Sequence, residues 1–253
     1  MSRRVMRGAV VLVGLLLIWQ AIVTLGGLPS YILPGPAAVA VALVGRAGLI
    51  AGHALRTLVE ILLGLGLGAA LGCATALAMS YFRPARRWLL PVVVVSQAIP
   101  VFALAPLLVL WFGYGIASKV AMAVLIIYFP VTAAFFDGLR RTEPGWLDLA
   151  HSMDAGRWRV LVHIRLPAAL PALATGLRVA AAVAPIGAVI GEWVGASAGL
   201  GYLMLHANAR VQIDLMFAAL VTLAAIGVGL YFAVDALLRR LIPWQPETLF
   251  ADD

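Results

Sequence analysis

The stretch that decides the fold of this chain is residues 137–169, which read DGLRRTEPGWLDLAHSMDAGRWRVLVHIRLPAA. It is the only long hydrophilic stretch in the 253-residue sequence, and its apolar side chains recur at helical spacing on both sides of Asp154-Ala155-Gly156. This pattern predicts two short amphipathic helices joined by a tight turn, each too short to cross a membrane. An ordinary interfacial loop would show the same periodicity, so periodicity alone does not assign a role to this 137–169 loop.

The composition of the chain indicates that its main solvent is lipid. Hydrophobic residues make up 64% of the sequence and charged residues 11%, and the mean hydropathy is +1.04. A soluble domain carries about 25% charged residues. The formal net charge of +7 does not indicate nucleic acid, because the arginines form short clusters between apolar runs instead of one basic face. A single cysteine, Cys73, excludes an intrachain disulfide.

Uncharged runs of about 20 residues predict six membrane spans in one transmembrane domain covering residues 1–253. The predicted spans are residues 8–26, 55–80, 88–112, 119–137, 173–194 and 215–237. Residues 88–118 carry no charge and are too long for one straight span, so their prolines predict a bent third span followed by a non-helical or re-entrant stretch. The expected fold class is an all-α membrane protein with six transmembrane helices and a cytoplasmic loop, residues 140–168, between spans four and five.

The distribution of basic residues predicts the orientation. Six spans place both termini on the same side, and a cytoplasmic N-terminus puts thirteen of the eighteen basic residues in inner segments. The thirteen are Arg3, Arg4, Arg7, Arg83, Arg86, Arg87, Arg140, Arg141, Arg157, Arg159, Arg165, Arg239 and Arg240. Both termini and the 137–169 loop are therefore expected in the cytoplasm.

The spacing of residues in the loop resembles that of permeases of ATP-binding-cassette importers. Their pattern is Glu-Ala-Ala, three residues, Gly, nine residues, Ile, one residue, Leu-Pro. Here Asp148-Leu149-Ala150, Asp154, Ile164 and Leu166-Pro167 keep every gap. Asp148 replaces the glutamate and Asp154 replaces the glycine. Aspartate is one of the few residues besides glycine that tolerate positive φ, so a turn at Asp154 remains possible.

Other segments along residues 10–245 carry the same resemblance. They are Leu33-Pro34-Gly35-Pro36, the run from Ile99-Pro100 through Pro106 to Leu110-Trp111-Phe112-Gly113-Tyr114-Gly115, and the run from Gly191-Glu192-Trp193 to Gly199-Leu200-Gly201-Tyr202. They look most like the branch that imports alkanesulfonates, taurine, nitrate and thiamine-related pyrimidines. The resemblance implies a binding-protein-dependent importer permease of the bacterial inner membrane, with a thiamine-pathway pyrimidine precursor as the expected solute. An alkanesulfonate, taurine or nitrate is the alternative.

The resemblance also implies partners. These are ATPase subunits, a periplasmic or lipid-anchored substrate-binding protein, a second copy of the chain and the lipid bilayer; no nucleic acid is expected. The sequence lacks a Gly-x-x-x-x-Gly-Lys-Ser/Thr segment that could cradle phosphates. The chain is therefore interpreted as a transport subunit that is not itself an enzyme and binds no cofactor, with ATP and Mg²⁺ on the partner ATPase.

Two sets of candidate functional residues follow. The residues expected to couple to the ATPase are Asp148, Ala150, Met153, Asp154, Ala155, Arg157, Trp158, Leu161, Ile164, Leu166 and Pro167, with Met153, Trp158 and Leu161 as the main apolar contacts. The candidate pathway residues are Ser96, Gln97, Pro100 and Glu192. For Gln97 a hydrogen bond between helices, and for Glu192 a structural ion pair or cap, stay open as alternatives. No catalytic residue is expected, and the four scattered histidines do not predict a metal site.

The remaining predictions concern packing and the rival functions. Gly64, Gly68 and Gly72 recur every four residues, which predicts the close approach of another helix. A proton-coupled secondary transporter would carry carboxylates in the middle of its spans, whereas the acidic residues here fall near predicted span ends. A membrane-embedded enzyme would need converging catalytic groups, and the sequence offers none.

Overall fold

The computed structural model describes the backbone of residues 3–244 and the side chains of residues 6–244. Within this range the chain forms helices and no strand. The helices are α1 (Arg3–Leu25), α2 (Pro36–Gly45), α3 (Ala47–Tyr81), α4 (Arg83–Ser96), α5 (Val101–Phe112), α6 (Ile116–Arg140), α7 (Pro144–Ser152), α8 (Arg157–Val160), α9 (Leu166–Gly195), α10 (Leu200–Ala209) and α11 (Ile213–Leu241).

Among the described residues, five helical segments are long and apolar enough to cross a membrane. They are Met6–Leu25, Ala47–Tyr81, Ile116–Arg140, Arg157–Gly195 and Ile213–Leu241. The pair α4 and α5 makes a sixth if the two are counted as one bent span. The predicted all-α membrane fold is confirmed.

The third predicted span is sharply bent. Helices α4 and α5 meet at an angle of 104° across the break at residues 97–100, and Pro100 precedes the first turn of α5. The expectation of a non-helical stretch after the break was wrong, because residues 101–112 are helical. With 12 residues, α5 is only about 18 Å long, which is too short to cross a hydrocarbon core of about 30 Å. The re-entrant alternative fits this length.

The chain divides into two compact units, of which the larger contains residues 58–196 and 226–253. Its core lies along α6, which packs against α3 and α9. Gly64 and Gly68 of α3 lie so close to Ala123 and Ile127 of α6 that a Cβ at either glycine would approach those side chains to 2.4 and 2.7 Å. The predicted role of the glycine repeat in helix packing is confirmed.

The smaller unit contains residues 1–57 and 197–225. Its α10 begins against the part of α3 that belongs to this unit. The Gly199 N–H donates to His53 Nδ1 (3.0 Å), and the Leu200 N–H donates to Thr57 Oγ1 (2.8 Å). The first N–H groups of a helix lack acceptors within the helix. Here two side chains of α3 provide acceptors at the start of α10. This pairing fixes the start of α10 on α3.

The 137–169 loop differs from its prediction in its second half. Its first half is the separate helix α7, as expected, but α8 passes through a π-helical turn, Leu161–Arg165, directly into α9. The second half is thus the first part of one continuous helical segment, Arg157–Gly195, and not an independent short helix. The wide π turn lies just before Pro167, where a proline removes a backbone donor.

Candidate functional site

Helix α7 has one buried side and one exposed apolar side. Ala150 is buried, whereas Trp146, Leu149 and Met153 expose half or more of their surface. Apolar side chains of this size on an otherwise polar loop mark a surface for another protein or for lipid.

The turn that follows α7 has the hydrogen bonds of a Schellman motif. The Ala155 N–H donates to Ala150 O and the Asp154 N–H donates to His151 O, both at 3.0 Å. Asp154 is the residue after the helix cap, and its φ is 53°. This is the left-handed conformation for which the motif most often uses glycine. Asp154 therefore adopts the backbone geometry expected of the glycine that it replaces.

The second half of the loop divides its apolar residues between the core and the surface. Leu161 is buried in the chain's own core with Met79, Phe135 and Leu139, so it does not present a surface to a partner as the sequence led us to expect. Trp158 is exposed, and its ring packs edge-on against Tyr81 with centroids 5.8 Å apart.

A groove of 1110 Å³ lies between α7, the continuous helix that follows it, and Trp244, which comes three residues after the end of α11. Its apolar wall includes Trp146, Leu149, Met153, Ile164, Pro167 and Trp244. The basic side chains of Arg141, Arg159 and His163 also line it, together with the acidic side chain of Glu143. Such a groove can receive an apolar projection of another protein that carries acidic groups around it.

The structure brings five of the eleven predicted coupling residues together at this groove. Met153, Ala155, Ile164 and Pro167 line it together with Ala150. Among the others, Asp148, Asp154 and Arg157 are exposed, and Leu166 is half-buried beside the core that contains Leu161.

Three of the candidate pathway residues lie at the break between α4 and α5. Ser96 ends α4 and its hydroxyl donates to Val93 O (2.7 Å), while Gln97 and Pro100 are exposed in the break itself. This places a polar amide at an irregular backbone, a geometry that membrane proteins tolerate inside protein or along a wet cavity.

The fourth candidate, Glu192, lies in a buried charge cluster. It is 1% exposed, Glu60 is 5% exposed and Lys119 is 3% exposed, and both carboxylates interact electrostatically with the Lys119 ammonium. The ammonium donates to the carbonyls of Tyr114 (2.6 Å), Gly115 (2.8 Å) and Gly195 (2.9 Å). A structural ion pair or cap and a pathway role both stay predictions for Glu192, and its electrostatic interaction with Lys119 supports the structural alternative.

Sequence reasoning missed the other members of this cluster. Glu60 was expected near a span end, but it lies well inside α3, and Lys119 was given no role. The available signal was that the one lysine of the chain, like Glu60, directly borders an uncharged apolar run. A second missed contact is that of Asp235, which joins Arg178 (2.7 Å) and Arg239 (2.8 Å).

The fold and the loop together define a class of protein, that of multi-pass membrane permeases. Residues 64–244 match the family described as "Binding-protein-dependent transport system inner membrane component". The chain belongs to this family and is a permease subunit of an ATP-binding-cassette importer of the inner membrane. Such importers work with an ATPase and a binding protein.

Several named relatives match almost the whole chain. A "Probable ABC transporter permease protein" of Haemophilus influenzae is 58% identical over 96% of this chain and 99% of its own length. The "Riboflavin transport system permease protein RibX" of Chloroflexus aurantiacus is 40% identical, covering 93% and 89% of the two chains. The "Formylaminopyrimidine transport permease protein ThiX" of Halalkalibacterium halodurans is 37% identical, covering 91% and 92%.

More distant relatives are named for other solutes. The "Taurine transport system permease protein TauC" of Escherichia coli is 31% identical, and a putative aliphatic sulfonates permease of Bacillus subtilis is 28% identical. A solved structure of the MetNI methionine ABC transporter in an inward-facing conformation superposes with a TM-score of 0.67 at 18% identity, covering 78% of this chain and 98% of that one. This likeness supports the fold.

Proposed function

We propose that two copies of this chain form the translocation pathway of an importer and that the 137–169 loop of each copy docks on an ATPase subunit. The observation that carries the proposal is the groove of 1110 Å³ beside α7, in which exposed apolar side chains stand on an otherwise polar loop. ATP and Mg²⁺ are then bound by the ATPase, because this sequence has no phosphate-binding loop.

The stoichiometry follows from the loop. One chain supplies one α7, and an ATPase that works as a closing dimer requires one such helix for each subunit. A homodimer of the permease is the simplest assembly that provides two. The positive charge of the inner segments supports a cytoplasmic position for both termini and the loop, on the side where an ATPase would act.

The energetic core of the docking surface is apolar. Leu149 and Met153 are the most exposed apolar side chains of the loop's first half, and burying side chains of this kind contributes about 1.5–3 kcal/mol each. The neighbouring charges of Asp148, Arg157 and Arg159 set the register of the contact and add less to its affinity.

Substitutions in the turn after α7 test the docking. We expect Asp154→Arg and Ala155→Glu to leave membrane insertion intact and to abolish ATP-driven uptake. Ala155→Glu places a charge in the groove lining, and Asp154→Arg puts a bulky side chain of opposite charge on the exposed turn beside it. Asp154→Gly is the matched control, since glycine keeps the left-handed φ, and it should retain uptake. Each variant is purified from membranes, and the ATPase that accompanies it is quantified. Normal uptake by Asp154→Arg would refute the docking.

The proposed solute is a thiamine-pathway pyrimidine precursor, with a sulfonate or taurine as the second candidate. The relatives named for formylaminopyrimidine and riboflavin are 37% and 40% identical, against 31% and 28% for those named for taurine and sulfonates. Residues 88–118, which include the break between α4 and α5, contain no lysine or arginine that would attract a sulfonate. The Gln97 amide, by contrast, can both donate to and accept from a neutral heterocycle.

Uptake measurements separate the two candidates. Cells that express this permease with its ATPase and binding protein are given radiolabelled formylaminopyrimidine, with unlabelled taurine as competitor. We expect labelled uptake that excess taurine does not reduce, and we expect Gln97→Leu to lower it while Gln97→Asn lowers it less. Uptake of taurine without uptake of the pyrimidine would select the alternative.

A further inference from the structure

The groove beside α7 is lined in part by a residue from much later in the chain. Trp244 contributes to its apolar wall, and 55% of this side chain is exposed. Two residues earlier, Ile242 is buried in a core cluster with Ala174 and Leu238, so the chain is anchored where it reaches the groove. Residues 245–253 therefore continue from a fixed point in the groove lining.

The sequence of residues 245–253 is QPETLFADD. It contains two large apolar side chains, Leu249 and Phe250, between the carboxylates of Glu247 on one side and Asp252 and Asp253 on the other. It contains no lysine or arginine. We call this stretch the 245–253 segment.

The groove has the complementary chemistry. Leu149 and Met153 expose 62% and 73% of their surface on its apolar wall, and covering such side chains removes apolar area from water. Three basic side chains line the groove against the single acidic side chain of Glu143. An acidic segment with an apolar centre fits this surface, and the charges would favour it over a basic or neutral one.

The 245–253 segment is long enough to use the groove. Leu249 and Phe250 follow Trp244 by five and six residues, and an extended chain covers about 3.3–3.6 Å per residue, so they can reach about 16–22 Å. Helix α7 has nine residues and is about 14 Å long, so its whole length lies within this reach. A volume of 1110 Å³ also exceeds what a drug-sized ligand requires, about 300–1,000 Å³.

We propose that the 245–253 segment occupies the groove of its own chain while no ATPase is docked, with Leu249 and Phe250 on the apolar wall and the three carboxylates at the basic side chains. This autoinhibitory contact rests on the proposed function, because the ATPase must displace the segment in order to dock. A short tether gives the segment an effective concentration of about 1 mM. An intrinsic dissociation constant of about 0.1–1 mM then fills the groove for roughly half to nine-tenths of the time, which weakens ATPase docking without preventing it.

Photo-crosslinking of the purified full-length permease tests the contact without any ATPase. A benzophenone amino acid replaces Phe250, and the crosslinked peptides are identified by mass spectrometry. We expect an adduct that keeps the mass of one chain and joins the probe to residues 141–171, and we expect excess ATPase to lower its yield. Adducts only with lipid, only with a second copy of the chain or only elsewhere in the same chain, or no adduct, would overturn the inference.

The affinity for the ATPase tests the inhibition. The permease in lipid nanodiscs is titrated with the purified ATPase subunit. Leu249→Ser/Phe250→Ser should tighten binding by about two- to tenfold, because it frees the groove, while Thr248→Ser, a polar exchange in the same segment, should leave the affinity unchanged. Misfolding would weaken binding, so a gain in affinity cannot arise from it. Equal or weaker binding by the double variant would overturn the inference.

Failure of the proposed function has a different signature. If Asp154→Arg binds the ATPase as tightly as the parent does, docking at the 137–169 loop is refuted. The crosslink from Phe250, which is formed without the ATPase, still decides whether the 245–253 segment binds in the groove.

Discussion

The Lys119 ammonium uses all its hydrogen-bonding capacity within the protein. It has three donors, and three backbone carbonyls accept them, two from the turn before α6 and one from the end of α9. Glu60 and Glu192 supply the opposite charge. A buried charge is tolerated when it is both paired and hydrogen-bonded, and this cluster meets both conditions.

Removal of the ammonium should be costly. We expect Lys119→Met to destabilise the protein by about 3–5 kcal/mol, because it leaves three carbonyls and two buried carboxylates without their cation. The measurement is the unfolding midpoint in detergent. The double variant Lys119→Met/Glu60→Gln should recover part of the loss, since it also removes one carboxylate charge. A single variant as stable as the parent would mean that the cluster is dispensable.

In the described part of the chain, the non-glycine residues with positive φ are Asp154 (53°) and Val211 (58°), and they differ in how far the sequence could predict them. The turn at Asp154 could be proposed because a short, polar residue stands where the family's glycine is expected. The turn at Val211 carried no such signal, because valine is a strand-forming residue that no turn preference favours. Its conformation is set by the hydrogen bonds that close α10, which only the structure reveals.

At the scale of elements, glycines decide how closely the helices approach. Gly68 of α3 faces Ile127 of α6, and a Cβ there would lie 2.7 Å from Ile127 Cγ2. Gly66, two residues earlier on the same helix, has no atom within 4 Å of its Cβ position. The two glycines are therefore a matched pair that differ in packing and share the same helix.

Alanine substitutions on this pair isolate the packing. We expect Gly68→Ala to destabilise the protein by about 1–3 kcal/mol, because the added methyl group overpacks the contact with α6. Gly66→Ala should be neutral or slightly stabilising, because alanine has the higher helix propensity. Unfolding midpoints of the purified variants give both values. Equal effects at the two positions would contradict close α3–α6 packing.

Periodicity predicted which helices exist better than it predicted where they end. The repeat of Gly64, Gly68 and Gly72 correctly indicated a packing face, and α7 was recognised from its apolar spacing. The continuation of α8 into α9 was missed, because Pro167 and Pro171 are normally read as helix boundaries. A widened turn before Pro167 allows the helix to continue, and a turn of this kind has no simple sequence signal.

At the scale of the whole molecule, the hydropathy of the chain was sufficient to predict an all-α membrane fold. What it could not predict was the charge cluster of Glu60, Lys119 and Glu192, because each member borders a different apolar run. Contacts of this kind depend on which helices become neighbours, and a count of uncharged residues contains no information about neighbours.

The orientation of the chain in the membrane is a prediction at this scale. With Cys73 replaced by alanine, Asn208→Cys should react with a membrane-impermeant maleimide in intact cells, and Ser152→Cys should react only after the cells are opened. Both residues are exposed, so reactivity reports the side of the membrane. The reverse pattern would place the 137–169 loop outside and would contradict an ATPase contact.

The 104° bend between α4 and α5 also has a consequence for biogenesis. During co-translational insertion, the translocon releases a segment into lipid when it is long enough to span, and the 12 residues of α5 are not. We infer that α5 settles into the membrane only after α6 has emerged from the ribosome and offers it a partner. Helix α5 is then synthesised before α6 but takes its place in the membrane after it.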